Sequence, residues 1–204
     1  SALREVALGL SKMADDVRLL ASGPRCGLGE LQLPANEPGS SAMPGKVNPT
    51  QAESLAMIAQ QVLAADHACT LAATNGHLQL NTARPLLALN LLHAIRLLTE
   101  GSLAFAERCL AGLEVDRTRV ASQLDRSLML VTALVPAVGY DRAAAIAHRA
   151  HHEGTTLREA ALADGALTAA QFDDLVRPER LARGPEGTPP ASGDSPPGEG
   201  PSGA

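Results

Sequence analysis

The amino-acid sequence predicts an all-α protein, and three observations support this fold class. Alanine and leucine dominate an apolar content of 45%, and both are strong helix formers. Aromatic side chains, which favour strands, are limited to one Tyr and two Phe, with no Trp. Apolar residues also recur every three or four positions over long segments, as on one face of a helix. We therefore expect part of a long-helix bundle followed by a small helical C-terminal domain.

The first predicted helix covers residues 2–21 and ends at a Ser-Gly-Pro triplet, a combination that stops helices. Residues 22–48 lack any helical period and are rich in Gly and Pro, so they predict a long loop, which is often functional. Asn48 and Pro49 are residue types favoured at the N-cap and first position of a helix. We expect the second helix to begin there and to reach about Thr74.

A third long helix is predicted from Pro85 to about Leu110, after a break at Asn75-Gly76. Its leucines cover most of the helix circumference, and a helix that is apolar nearly all round must be buried on several sides. A chain of 204 residues is too short to cover it alone. We therefore expect an obligate homo-oligomer whose long helices share one bundle.

From Gly112 onward the periodicity predicts short helices, at roughly 115–125, 141–153, 156–164 and 168–176. The last residues consist largely of Pro, Gly and Ser, which bury no core, and we expect them to be disordered. The expected organisation is a bundle domain at 1–113 with a catalytic loop at 36–49, a C-terminal domain at 114–183 and a disordered tail at 184–204.

Charge and composition exclude several classes of partner. The net charge of −5 argues against a nucleic-acid surface, because phosphate backbones need clustered Lys and Arg. No stretch approaches about 18 uninterrupted apolar residues and no signal peptide is visible, so we expect no membrane span and a cytoplasmic location.

Three scattered Cys predict reduced thiols. The start at Ser1, without Met, suggests a segment of a longer protein.

One pattern on a predicted short helix has the spacing of a metal site. The string HRAHH places His148 and His152 four residues apart, and it also contains His151. It lacks the Glu of the HExxH motif, and no third ligand is evident. We therefore expect a solvated helix face and predict no metal site.

The segment GSSAMPGKVNP, residues 39–49, carries the chemistry. Gly39 and Gly45 permit backbone conformations that other residues resist. Lys46, one of only two lysines, precedes the predicted start of a helix, where free amides and the helix dipole attract anions. A carboxylate or phosphate is the natural ligand. A turn-rich linker with a routine helix cap is the alternative, and it accounts for the glycines and Asn48 but not for Lys46.

This segment resembles the signature G-S-x-x-M-x-x-K-x-N of the fumarase/aspartase superfamily. At the position of Gly45, aspartases typically have Ala, so the glycine in this chain resembles class II fumarate hydratases. Flanking stretches such as SGPRCGLGELQLPANEPGSS and LTAAQFDDLVRP look like the same family, and the resemblance covers about residues 1–181. It implies reversible hydration of fumarate to L-malate, a reaction of the tricarboxylic acid cycle, by a homotetramer that uses neither metal nor organic cofactor.

The resemblance also implies a role for each matching residue. Ser40 matches the catalytic base, and Glu53 matches a glutamate that orients a catalytic histidine. The residues expected to hold the substrate carboxylates are Ser41, Lys46, Val47 (through its backbone) and Asn48. Glu53 also lies in the first turn of the predicted helix, where a carboxylate interacts favourably with the dipole, and both roles are compatible.

Active sites in this superfamily combine segments of three subunits, and two of those segments, including the histidine, are expected upstream of Ser1. We therefore expect the chain by itself to be inactive. Two alternatives stay open from the residues. The parent could be an aspartase-like ammonia-lyase, or the chain could be a non-catalytic structural or assembly partner, as with lyase-fold lens crystallins.

Overall fold

The computed structural model describes residues 1–37, 39 and 42–183, and it confirms the helical fold class. The α-helices of this part are α1 (Ala2–Leu20), α2 (Thr50–Ala73), α3 (Arg84–Arg108), α4 (Arg117–Asp125), α5 (Val135–Val138), α6 (Tyr140–Glu153), α7 (Leu157–Asp164), α8 (Ala169–Leu175) and α9 (Pro178–Arg183). Two 3₁₀ segments cover Leu110–Gly112 and Leu128–Leu134. Short strands form two antiparallel pairs, β1 (Leu31–Gln32) with β4 (Glu114–Val115), and β2 (Gly76–His77) with β3 (Leu80–Asn81).

The first compact unit, Ser1–Val120, is built on α1, α2 and α3. Each of these helices runs antiparallel to the one before it in the chain. The end of α1 meets the start of α2, because Ala14 and Val17 share a buried cluster with Leu55. The end of α3 reaches the same cluster through Phe105. A second cluster joins the opposite portions of these helices through Ala7, Ala59, Val62, Ala65, Ala94 and Leu98. The chain therefore reverses direction at each step.

Small side chains allow these helices to pack closely. Gly101 of α3 lies close to α2, since a Cβ placed on it would lie 2.6 Å from Cδ1 of Ile58. Leu55 and Val62 fill the space that remains and are almost fully buried. Truncating a buried leucine to alanine costs about 2–5 kcal/mol, so Leu55 is a main contributor to the stability of this unit.

The Gly- and Pro-rich segment after α1 is held in place by the region that follows α3. The side chain of Arg119 donates hydrogen bonds to the carbonyl oxygens of Leu28 at 2.9 Å and Gly27 at 2.8 Å. The amide of Asp116 donates to the carbonyl of Glu30 at 2.9 Å, next to the β1–β4 pair. These contacts supply partners for backbone groups that neither a helix nor a sheet would satisfy.

The second compact unit begins at Ala121, and its helices α6, α7 and α8 pack with the 3₁₀ segment Leu128–Leu134. Two capping boxes begin successive helices. Thr156 and Glu159 cap α7, and Thr168 and Gln171 cap α8, each by reciprocal side-chain and backbone hydrogen bonds. The core of the unit is formed by Leu134, Ala143, Ile146, Ala150, Leu157, Ala160, Ala161 and Phe172.

The outer face of α3 is apolar and exposed. Leu89 and Leu92 are 67% and 66% exposed, although both are large hydrophobic residues. By length and composition, the helical stretch Arg84–Gly112 is also apolar enough to cross a membrane. Only 17% of its most apolar part is buried. A single helix of this kind in the described residues is weak evidence for a membrane span, because bundle helices pass the same test.

The predicted long helices at 2–21, 49–74 and 85–110 are confirmed to within two residues at each end. The predicted N-cap is wrong. The cap is Pro49, whose φ of −80° and ψ of 51° are not helical, and α2 begins at Thr50. The assignment of domains at 1–113 and 114–183 stays a prediction, as the compact units divide after Val120. The predicted tail at 184–204 lies outside the described residues.

Candidate functional site

The loop at 36–49 begins where the end of α3 holds it. Asn36 donates a hydrogen bond from Nδ2 to the carbonyl oxygen of Arg108, the last residue of α3, at 2.8 Å. The final carbonyls of a helix lack partners within the helix, and Asn36 satisfies one of them. The loop ends at α2, whose first turns share a buried cluster with the ends of α1 and α3. Both ends of the loop are thereby attached to one end of the three-helix unit.

Gly39 and Lys46 are in close contact across this loop. A Cβ placed on Gly39 would lie 1.7 Å from the carbonyl oxygen of Lys46 and 2.8 Å from its carbonyl carbon. Backbone atoms, unlike the tip of a side chain, have no rotamer by which to move aside. Only glycine fits at position 39 in this conformation.

A tight turn precedes Lys46. The amide of Lys46 donates to the carbonyl of Met43 at 3.2 Å, and Gly45 has a φ of +78°. Pro44 followed by a glycine with positive φ is the combination that a type II β-turn requires at its two central positions. The Pro-Gly pair of the signature is therefore explained by local geometry, which directs the chain through Lys46 toward α2.

The residues after the turn present unpaired polar groups. Lys46 is exposed, and its ammonium forms no ion pair with any residue that the structure describes. Val47 is half exposed, and Asn48 is partly buried with no side-chain hydrogen bond to the described part of the chain. Because Pro49 occupies the cap position, the Asn48 amide is not engaged in capping. A cation and an amide thus remain available to an anionic ligand.

Thr50 is a residue that the sequence analysis did not single out. It is the first residue of α2, and its side-chain oxygen is buried without a hydrogen-bond partner in the part of the chain described. Buried hydroxyls are nearly always paired, so this one is an exception at the helix start that follows the loop. Its place directly after Asn48-Pro49 was the sequence feature that could have marked it as a site residue. Threonine is also an ordinary residue at the start of a helix, so this feature does not distinguish the two roles.

Glu53 is positioned by a residue from another helix. Its Oε1 lies 3.6 Å from Nη2 of Arg18, in the last turns of α1, and Arg18 also lies 3.5 Å from Asp15. The antiparallel packing of α1 and α2 brings Arg18 and Glu53 together, beside the buried Val17. Apolar periodicity could not predict this pair, because the two residues are far apart in the chain and lie on separate helices.

The structure brings together Lys46, Val47, Asn48 and Glu53 of the predicted site, in one turn and the helix start that follows it. Ser40 and Ser41 lie outside the described residues, so their predicted roles stay predictions. No group of three or more His, Cys, Asp or Glu that could hold a metal ion occurs among the residues described. The arrangement is chemically suited to binding a small anion by a fixed positive charge and by donors at a helix start.

Comparison with known proteins identifies the family. The model described as "Fumarase C C-terminus" matches residues 130–183, and the model described as "Lyase" matches residues 1–64. "Fumarate hydratase class II 1" of Pseudomonas aeruginosa is 58% identical over 180 residues, which is 88% of this chain and 39% of that protein. "Fumarate hydratase 1, mitochondrial" of Arabidopsis thaliana is 54% identical over 179 residues, 88% of this chain and 36% of that protein.

A solved structure gives the same answer for the fold. The recombinant class II fumarase from Schistosoma mansoni superposes with a TM-score of 0.83 at 44% sequence identity, covering 88% of this chain and 38% of that one. The chain thus spans somewhat more than a third of the length of the relatives it matches. On the two family models, the sequence identities and the shared fold, the chain matches the C-terminal part of the class II fumarate hydratases of the fumarase/aspartase superfamily.

Proposed function

We propose that this chain contributes the catalytic loop and carboxylate-binding residues of a class II fumarate hydratase, a hydro-lyase that interconverts fumarate and L-malate. The observation that carries the proposal is the geometry at 39–50. Gly39 closes onto the carbonyl of Lys46, and the Lys46 ammonium is left unpaired just before α2 begins. This arrangement fits a substrate carboxylate, which needs a positive charge or aligned donors, and the dicarboxylate class is proposed from the similarity to fumarate hydratases.

The chemistry explains why a cation is needed at this point. When malate is dehydrated to fumarate, a base removes a proton from the carbon next to one carboxylate, and the electron pair of that C–H bond moves into the carboxyl group. The resulting aci-carboxylate carries two negative charges. Its electron pair then forms the carbon–carbon double bond, and the hydroxyl group of the neighbouring carbon is protonated and leaves as water. Donors fixed in advance around the developing charge lower this barrier more than they stabilise the substrate.

Within the proposal, Ser40 acts as the base and Ser41 holds a carboxylate. A serine hydroxyl is a weak base, so its alkoxide needs nearby donors and a site from which water is excluded. Lys46 supplies the charge that favours the doubly charged intermediate, and Asn48 donates from its free side-chain amide. Val47 contributes through its backbone, which is consistent with a side chain that is half exposed.

Glu53 is proposed to orient a histidine supplied from outside this chain's own loop. Its carboxylate has one oxygen near Arg18, and a carboxylate has further lone pairs with which to accept a hydrogen bond from an imidazole. The histidines that the structure describes in this chain are all exposed, at positions 67, 77, 93, 148, 151 and 152, and none of them forms a hydrogen bond or an ion pair with Glu53. The partner of Glu53 is therefore proposed to belong to another segment of the assembled enzyme.

The proposal includes assembly as a homo-oligomer, with four subunits, in which the exposed apolar faces of α2 and α3 are buried. Met57 and Leu71 on α2 and Leu89, Leu92 and Leu103 on α3 are each more than half exposed in the single chain. Apolar patches of this extent are typical of subunit interfaces. A cytoplasmic location, a place in the tricarboxylic acid cycle and a reaction without metal or cofactor belong to the same proposal.

A chimaera tests whether this segment is catalytically competent. The aligned region of the Pseudomonas aeruginosa relative, 58% identical, would be replaced by the matching residues of this chain. We expect the chimaera to consume fumarate and to form malate, and Ser40→Ala in the chimaera to reduce kcat by at least about a hundredfold. A folded, tetrameric chimaera without fumarate turnover would contradict the proposal. The 204-residue chain assayed alone is expected to show no turnover.

The same chimaera separates the alternatives. An ammonia-lyase would release ammonia from aspartate and would not hydrate fumarate, so the two products can be measured in parallel. A purely structural role predicts that the chimaera assembles normally but is inactive, and that Lys46→Ala changes nothing further. We expect instead that Lys46→Ala mainly raises KM and also lowers kcat, because it removes the positive charge that would stabilise both the bound substrate and the intermediate.

A further inference from the structure

Two histidines on the second unit form a candidate metal-binding pair that the proposed reaction does not use. His148 and His152 lie in the last two turns of α6 and are both exposed. Neither imidazole forms a hydrogen bond or an ion pair with a residue in the described part of the chain. Both imidazoles are therefore accessible to a ligand.

The spacing places the two side chains on one face of the helix. Residues four apart have Cβ atoms about 5–6 Å apart, and long side chains at such positions meet. The same two turns of α6 demonstrate this directly, because Arg149 and Glu153, one position further along, form a hydrogen-bonded pair at 3.0 Å. Bonds from a divalent transition metal to imidazole nitrogen are about 2.0–2.1 Å long, so two imidazoles with this separation can share one ion.

The surroundings favour this pair over its neighbour. His151 lies in a surface hollow lined also by Arg126, Leu128 and Glu159, and it has no imidazole four residues away, since those positions are Ala147 and Thr155. The Arg149–Glu153 pair next to the histidines is neutral overall and adds no net repulsion. The C-terminal end of α6, which closes at Gly154, carries the negative end of the helix dipole and favours a cation.

Against the sequence-based expectation that this helix face is only solvated, we propose that His148 and His152 form a two-point site for a divalent transition metal of the nickel, copper and zinc group. Imidazole is a ligand that these ions prefer, and the remaining coordination positions are filled by water. Such a site is exchangeable and exposed, and it links the last two turns of α6. It does not depend on the fumarate hydratase proposal, because it lies in the second unit and involves none of the residues 36–53.

The test is titration of Ni²⁺ into the full 204-residue chain, made without a polyhistidine tag and with Cys26→Ser to remove the exposed thiol. We expect one ion per chain to bind more tightly than any others and to raise Tm, because the unfolded chain does not hold the two imidazoles together. His148→Ala and His152→Ala should each lower the association constant by at least about tenfold. An unchanged association constant in both variants overturns the proposal.

Two controls address other sources of binding. His151→Ala should leave the association constant within about twofold of the parent, whereas a loss equal to that of His152→Ala would assign binding to a different pair and overturn the proposal. In a chain with both His148→Ala and His152→Ala, the changes Arg149→His and Glu153→His rebuild the same spacing one position along. Binding should return, and failure to return would show that the spacing does not carry it. Circular dichroism would verify that each variant keeps its helix content.

Discussion

Arg18 on α1 lies 3.6 Å from the carboxylate of Glu53 on α2, from Nη2 to Oε1, and this contact exists only because the two helices pack antiparallel. Both side chains are 42% exposed, and ion pairs of this kind contribute about 0–1 kcal/mol to stability. The pair adds little to stability, and from its position at the start of α2, beside the loop at 36–49, we infer that Arg18 positions Glu53.

In the active chimaera, Arg18→Ala is expected to lower kcat by about tenfold or more and to leave KM nearly unchanged, because Glu53 is proposed to orient a histidine for proton transfer and not to bind substrate. Arg18→Lys should recover part of the loss, since a positive charge is restored without the second donor of the guanidinium. Steady-state kinetics measure both parameters. If Arg18→Ala raised KM alone, Arg18 would be a substrate-binding residue instead.

Gly39 is expected to tolerate no side chain. In Gly39→Ala the new Cβ would lie 1.7 Å from the carbonyl oxygen of Lys46, so the loop must open. We expect a loss of at least about a hundredfold in kcat/KM of the chimaera, with little change in Tm because the loop is outside the helical core. Gly45→Ala is the matched control. It meets no atom within 4 Å but is strained at a φ of +78°, so a smaller loss is expected.

Gly9 should be a site where stability increases on substitution. It lies inside α1, and a Cβ placed there meets nothing within 4 Å. Glycine in a helix interior costs about 0.5–1 kcal/mol relative to alanine. Gly9→Ala should therefore raise the free energy of unfolding of the chain by about that amount, as measured by urea denaturation. A decrease would show that the surface around Gly9 is in close contact with another subunit.

The two capping boxes of the second unit should respond differently to acid. Hydrogen bonds from the backbone and then the side chain of Thr156 lower the pKa of Glu159 below its ordinary value of 4.5, whereas Gln171 in the other box does not titrate. A lowered folded pKa contributes stability that is present above pH 4.5 and is lost as the pH falls through the folded pKa.

At neutral pH, Thr156→Ala and Thr168→Ala should each cost about 1 kcal/mol in the free energy of unfolding. As the pH falls below 4.5, the cost of Thr156→Ala should shrink while that of Thr168→Ala stays constant. Thermal unfolding of both variants and of the parent across this range measures the difference. Asp173, whose pKa is lowered by its hydrogen bond to Arg158, titrates in all three proteins and cancels. Parallel pH dependence of the two variants would refute the explanation.

The outer face of α3 should control association. Replacing Leu89 and Leu92 by Glu places charges where the exposed apolar stripe is proposed to meet other subunits, and burying an unpaired charge is strongly unfavourable. We expect the chimaera to dissociate in sedimentation velocity experiments. Met129→Glu in the second unit, at a residue 81% exposed, should leave the oligomeric state unchanged. A tetramer that survives both leucine replacements would exclude this face as an interface.

The sequence by itself determined the helical fold, the bounds of the long helices and the family, since these depend on local periodicity and on an eleven-residue signature at 39–49. It also located Lys46 and Asn48. Only the tertiary structure decided that Pro49 and not Asn48 caps α2, that Gly39 closes onto Lys46, and that Arg18 faces Glu53. The physical reason is that apolar periodicity specifies which face of a helix is buried. It does not specify the backbone angles at the first residue of a helix or within a loop. Contacts between helices depend on how the chain reverses, which the spacing of apolar residues does not specify.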